Sequence, residues 1–250
     1  WSNLQLWAGG ITMILGGVLA YTAIDIKKAL AYSTLMALGT LTFLLGIGHQ
    51  AAMVAFISFL LAHSLYKASL FMLAVAIDHS AGTKDLTQLG GLKKTMPITF
   101  ILMVVAALSL AGLPPVLGFI AKELVFEAAL AVNTGLVLVA IIMACLGVAV
   151  AIILVIKPFL GADTSLPKKP HEASLLLLAG PASPLTISLL FVLLPGLADQ
   201  GLIQATLQAV PLESTDFYLS ILHGSTTVLR LSALALFLGV VLAMACQPSR

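Results

Sequence analysis

Long apolar runs separated by short polar breaks dominate the chain, and their lengths set its architecture. A helix needs about 20 predominantly apolar residues to cross the hydrocarbon core of a bilayer. Seven segments meet that length, at residues 4–24, 29–47, 51–77, 98–130, 135–156, 173–194 and 226–245. The fourth is too long for one ordinary crossing, and Gly112-Leu113-Pro114-Pro115 interrupts it. Tandem prolines remove two backbone donors and clash with the preceding turn, so the helix is expected to break there and resume near Val116. A broken helix at membrane depth is tolerated only where protein or water surrounds it, as at many ion-transport sites. Pro181 and Pro184 are expected to kink the sixth segment. Residues 198–218 form an amphipathic, acidic connection carrying Asp199, Glu213 and Asp216.

The polar breaks supply the punctuation. Asp25 is placed to cap the second helix, and Pro97 to open the fourth after the loop at 78–97. Gly16 and Ala20 give a small-xxx-small spacing that favours close helix contact in the first segment. Tyr32, Ser33 and Thr34 put groups that can bond neighbouring backbone inside the second.

Composition fixes the class. With 60% hydrophobic and only 9% charged residues, the chain has too little polar surface to cover a soluble domain, and it reads as an all-α polytopic membrane protein. A net charge of +2 is too small and dispersed to imply a nucleic-acid partner. Cys145 and Cys246 lie in apolar runs without metal-ligand or disulfide spacing, and read as small core residues. No nucleotide loop, metal constellation or nucleophile triad is present, so neither cofactor nor metal is expected. No cleavable signal peptide is visible, and the opening Trp1-Ser2-Asn3 suggests a piece of a longer chain. Lys27, Lys28, Lys84, Lys93, Lys94, Lys157, Lys168, Lys169 and Arg250 all fall in alternate loops on one side. By the positive-inside rule that side is cytoplasmic, with the amino end outside and the carboxyl end inside.

Candidate chemistry lies where charge interrupts the apolar runs. His63 and Lys67 sit mid-run in the third segment, four residues apart and hence on one helix face, with Phe59 a turn earlier. A charge at that depth costs roughly 2.5–3.5 kcal/mol on insertion scales and usually faces a bundle interior or a water-filled cavity. Snorkelling of Lys67 to the interface, and a purely structural hydrogen bond for His63, are the alternatives. Beyond the break, Glu123 and Glu127 share a face with Lys122 adjoining. They read either as a solvated turn near the membrane surface or as the mouth of the polar channel that holds Lys67. Arg230, near the start of the seventh segment, reads as a snorkelling or structurally paired residue.

Four runs then resemble a known family: DIKKALAYSTLMALG from Asp25, HSLYKASLFM from His63, GGLKKTMP from Gly90 and AGLPPVLGFIAKE from Ala111. They are similar to the antiporter-like membrane subunits shared by respiratory complex I, membrane-bound hydrogenases and Mrp-type cation/proton antiporters. HSLYKASLFM followed by IDHSAGTKDLTQLGGL is most similar to the large A-type subunit of the Mrp antiporters. The resemblance implies that residues 1–160 are the second of two inverted five-helix repeats, with 161–250 adding two further helices. It implies a proton relay of Lys67, His63 and Lys122, with Glu123 and Glu127 assisting near the outer face. Phe59 stands where family members often carry a second histidine, so water would bridge that part of the relay. The implied protein is a transporter subunit of a bacterial inner (cell) membrane. It is no enzyme in its own right, and it couples proton movement to sodium export beside other subunits of a hetero-oligomeric complex. The alternatives are a proton-pumping arm of a complex I-like or hydrogenase enzyme, and a purely structural membrane scaffold.

Overall fold

A computed structural model describes residues 1–194 and 226–245. In chain order its α-helices are α1 (Ser2–Thr22), α2 (Ile26–Ile47), α3 (Gln50–Ala81), α4 (Pro97–Ala111), α5 (Leu117–Leu130), α6 (Thr134–Val155), α7 (Leu175–Leu193) and α8 (Thr226–Ala245). Among the described residues six helices are long and apolar enough to cross a membrane, namely all but α4 and α5. At 15 residues α4 reaches about 22 Å, short of a full bilayer, so α4 and α5 make one crossing between them. The result is the all-α polytopic architecture with one helix broken at Pro114-Pro115. The acidic connection at 198–218, Cys246 and Arg250 lie outside the described residues.

The way the connections meet supports a single crossing for the broken pair. The loops after α1, α3 and α6 come together on one side. There Lys84 meets Asp25 at 3.1 Å, the Gly91 N–H donates to the Gly161 carbonyl, and the Ser80 hydroxyl donates to the His171 carbonyl. The loops after α2 and α5 meet on the other side, where the His49 ring contacts the Ala128 carbonyl. Tyr21, at the basic end of α1, donates to the Leu242 carbonyl near the end of α8 at 2.6 Å. The carboxyl end of α8 therefore lies on the basic side, as the loop charges predict.

Local chemistry sets the helix limits. The Asp25 side chain accepts from the Lys27 and Lys28 backbone N–H groups and starts α2. Asn133 accepts from the Leu136 N–H at the start of α6, and Pro97 opens α4. The third helix runs past the expected end at Ile77 to Ala81. Asp78, His79 and Ser80 look like a loop in sequence but stay helical because each has a partner. Asp78 pairs with Lys27 at 2.5 Å, the His79 carbonyl accepts from Lys168, and Ser80 bonds His171. Gly82, at φ 75°, then stops the helix in the left-handed conformation that glycine adopts freely. In α7 Pro184 cannot donate to the Gly180 carbonyl, and the Ser183 hydroxyl bonds that oxygen instead.

The tightest packing joins α1 to α2. A Cβ on Gly9 would lie 2.3 Å from the Phe43 nitrogen, one on Gly39 2.3 Å from the Met13 nitrogen, and one on Gly16 2.4 Å from the Met36 nitrogen. The backbones touch through missing side chains, the membrane solution where no hydrophobic effect drives helices together. The Gly16–Ala20 spacing lies on this buried face, and Gly9 and Gly39 extend it. Outward, α1 presents Leu4, Trp7, Ile11, Leu15 and Val18, an apolar stripe suited to lipid or a neighbouring protein. The last helix, α8, closes on α6, where a Cβ on Gly239 would meet the Cys145 carbonyl at 2.8 Å.

The glycine contacts and the Asp25 cap can each be tested by substitution. Gly39→Leu is expected to lower stability by roughly 1–3 kcal/mol or more through overpacking against backbone. Gly10→Ala, whose Cβ would stop 3.8 Å from Phe43, is expected to be neutral; thermal unfolding of the detergent-solubilised protein compares the two. Burial opposes the charge on Asp25, but hydrogen bonds from Lys84, Lys28 and Lys27 and the Lys84 charge outweigh it and hold the carboxyl below its ordinary value. A carboxyl lowered in the fold stabilises above its unfolded pKa and loses that contribution as pH falls through the folded value. The difference in unfolding midpoint between native protein and Asp25→Asn is therefore expected to be constant near neutral pH and to shrink below about pH 4.

Candidate functional site

Among the buried polar residues are two lysines, a histidine and a glutamate, Lys67, Lys122, His63 and Glu123, in an interior where every backbone and side-chain donor needs a protein or water partner. His63 and Lys67 share one face of α3 and are only 8% and 6% exposed. The Lys67 ammonium crosses to α2, donating to the Leu30 carbonyl at 2.7 Å and to the Ser33 hydroxyl. It also lies 5.7 Å from the centroid of the Phe71 ring. Lys67 thus stays in the interior, which disfavours the snorkelling alternative. Both ion pairs formed among the described residues, Lys27–Asp78 and Lys84–Asp25, sit on the basic face, away from it.

His63 has a different set of neighbours. Its Nδ1 is 3.0 Å from the Tyr66 hydroxyl, which donates or accepts according to the imidazole tautomer. Phe59 stacks on the ring at 6.3 Å, and Tyr66 meets it edge-on at 5.2 Å. No hydrogen bond joins His63 to Lys67 among the described residues. The aromatic pair fixes the imidazole plane, and Tyr66 also lines a cavity beside the broken helix.

That cavity adjoins the break itself. Ala111 ends α4, and Gly112, at φ 65°, turns the chain out of the helix. The last carbonyls of a helix have no intrahelical donor and carry the negative end of its dipole. Lys122, from the following half-helix, donates to the Gly112 carbonyl at 2.6 Å and so places a cation at that end. A Cβ on Gly112 would lie 2.7 Å from Lys122 Cδ, so glycine serves both the turn and the lysine stem. The close crossing of the two halves also needs Gly118, where a Cβ would meet the Ser109 carbonyl at 1.9 Å. At the start of α5 the Leu117 N–H donates to Ser188 of α7.

Between α3 and the break lies a narrow cavity walled by Phe59, Tyr66, Ser109, Gly112 and Lys122, among others. It admits about one water molecule. The Ser109 hydroxyl in its wall is buried and has no hydrogen-bond partner among the described residues, the polar setting a bridging water needs. Tyr66 and Lys122 both line this cavity, and His63 reaches it through its contact with the Tyr66 hydroxyl.

The acids point elsewhere. Lys122 and Glu123 are both 6% exposed, which removes the solvated-turn alternative for them. Glu123 faces α8, where the Ser232 hydroxyl hydrogen-bonds its Oε1. Glu127, one turn on, is half-buried, and Arg230 is exposed. Sequence reasoning singled out both lysines, the histidine and both glutamates. It passed over Tyr66, whose place three residues after His63 was the available signal, and Ser232, which no local pattern marks.

The family described as "NADH:quinone oxidoreductase/Mrp antiporter, TM" matches residues 1–147. The chain belongs to this family. Across 94% of its length this family member is 31% identical to a Staphylococcus aureus protein of strain Newman, the A1 subunit of a Na(+)/H(+) antiporter, and equally to that of strain MRSA252. It spans 33% of the length of these curated relatives. A solved structure of the Mrp complex from Dietzia sp. DQ12-45-1b contains a chain that matches 99% of this one at a TM-score of 0.86 and 31% identity, over 27% of that chain. The protein is therefore a multi-pass membrane protein with the antiporter-like fold.

Removing one partner of a buried ammonium should be felt. Ser33→Ala leaves Lys67 with the Leu30 carbonyl alone and is expected to lower stability by about 1–3 kcal/mol. Ser33→Thr, which keeps a hydroxyl, is expected to recover most of this, and thermal unfolding of the two variants is the check.

Proposed function

We propose that this chain is the second-repeat portion of the large A-type subunit of an Mrp-type antiporter and carries part of a proton path coupled to sodium export. The observation that supports the reading is the narrow cavity lined by both Tyr66 of α3 and Lys122 of α5, beside the helix break. Protons enter from the cytoplasmic side or from the adjoining repeat and reach Lys67 and His63. A desolvated lysine exchanges its proton as neighbouring charge and water access change, and an imidazole can take up a proton at one ring nitrogen and release one from the other. From His63 the route runs through the Tyr66 hydroxyl and one water to Lys122. Glu123 and Glu127 assist on the outward side.

In this reading residues 1–160 form the conducting repeat, and α7 and α8 brace it through Ser188 and Ser232. The energy source is the proton gradient, the partners are other subunits of a hetero-oligomeric complex, and the setting is a bacterial inner membrane. The similarity to sodium/proton antiporter subunits favours this over a redox-driven pump of the same family.

The test is sodium-dependent proton exchange in everted vesicles carrying the full complex, with assembly held equal. Lys67→Ala is expected to abolish exchange in an assembled complex; unchanged exchange would make Lys67 structural and overturn the relay. Proton exchange that persists without any sodium dependence would favour the redox-pump reading. Tyr66→Phe keeps the ring but removes the hydroxyl, and is expected to slow exchange about fivefold, the scale of one lost hydrogen bond.

A further inference from the structure

The last described helix contributes a polar group to the buried acid beside Lys122, and the relay as proposed gives that group only a bracing part. Glu123 is 6% exposed, its Oε1 is bonded by Ser232, and its Oε2 is buried with no hydrogen-bond partner among the described residues. A buried carboxylate oxygen without a donor is costly, and a fold keeps such a group where something has to arrive. Consecutive residues on a helix point about 100° apart. Lys122 accordingly faces the break and the cavity while Glu123 faces α8. A proton passing from one to the other leaves the interior cavity for the seam between α5 and α8.

Ser232 is itself firmly placed. On the same helix Cys145 of α6 contacts the Ala235 carbonyl, Gly239 fits against Val148, and the Leu242 carbonyl accepts from Tyr21. Three contacts along α8 hold the hydroxyl at a set distance from α5.

Building on the relay reading, we propose that Ser232 is a positioning residue for proton exit, holding Glu123 Oε1 so that Oε2 receives the proton that reaches Lys122. In that step an N–H bond of the Lys122 ammonium breaks and an O–H bond forms at Oε2, with water carrying the proton, since no hydrogen bond or ion pair joins the two side chains among the described residues. Ammonium and carboxylate become amine and carboxylic acid. On release the carboxyl loses the proton to water on the outward side and the carboxylate reforms. Ser232 donates to Oε1 in both states, which keeps the receiving oxygen the same in every cycle.

The experiment measures sodium-dependent proton exchange of the full complex in everted vesicles at equal assembly. Ser232→Ala is expected to slow exchange about fivefold, and Ser232→Thr to restore it to within about twofold of native. Glu123→Asp withdraws the carboxylate from Ser232 and keeps an acceptor; adding Ser232→Ala to it is expected to cause no further loss, because the two changes break one interaction. Equal fold-losses in both backgrounds, native exchange in Ser232→Ala, no rescue by threonine, or loss of assembly in Ser232→Ala restored by threonine would each overturn the proposal. Lys67→Ala measured beside them separates the two readings. If Lys67→Ala is inactive while Ser232→Ala is native, only the role of Ser232 falls; if Lys67→Ala is native, the relay falls and this step with it.

Discussion

A helix that stops inside a bilayer leaves carbonyls that lipid cannot satisfy, and the rest of this fold is arranged around one such stop. The Gly112 carbonyl at the end of α4 is met by Lys122, whose own charge is at the same time placed at the negative end of the α4 dipole. One contact therefore solves two problems that are each expensive alone, an orphan acceptor and a buried ammonium. It requires glycine at 112 for the turn and the space, glycine at 118 for the crossing, and an outside partner for the first N–H of α5, supplied by Ser188. The break is a braced structure and not merely a gap in a helix.

Lys67 meets the same constraint by another route. It lies beside regular helix, so its ammonium shares the Leu30 carbonyl with the Ser33 and Thr34 hydroxyls and also bonds the Ser33 hydroxyl. The two lysines therefore differ in what holds them: one rests on regular helix and the other on a helix terminus. His63, Tyr66 and the cavity occupy the space between these environments.

Much of the fold could be read from pattern because the membrane leaves few options. Apolar run length marked each crossing, the prolines marked the break, Asp25 and Pro97 marked helix starts, and lysines in alternate loops gave the side on which those loops meet. The end of α3 escaped because Asp78 and Ser80 take their partners from Lys27 and His171, far away in sequence. The candidate site divided the same way. Lys67, His63 and Lys122 stood out because charge in an apolar run is rare, whereas Ser232 and Ser188 are ordinary in any helix and gain meaning only from what they touch. Tyr66 was hidden by its type, since an aromatic in an apolar run looks like packing until its hydroxyl is seen beside an imidazole.

The glycine contacts between α1 and α2 also bear on how the interior can move. With backbone against backbone at Gly9, Gly16 and Gly39, the two helices have no side-chain layer in which to slide or rotate, and they behave as a single stiff plank. Leu30 and Ser33 ride on that plank. Any rearrangement that frees the Lys67 ammonium must then come from swinging of the lysine stem or from displacement of α3, while the acceptors it leaves stay where they are and wait for its return.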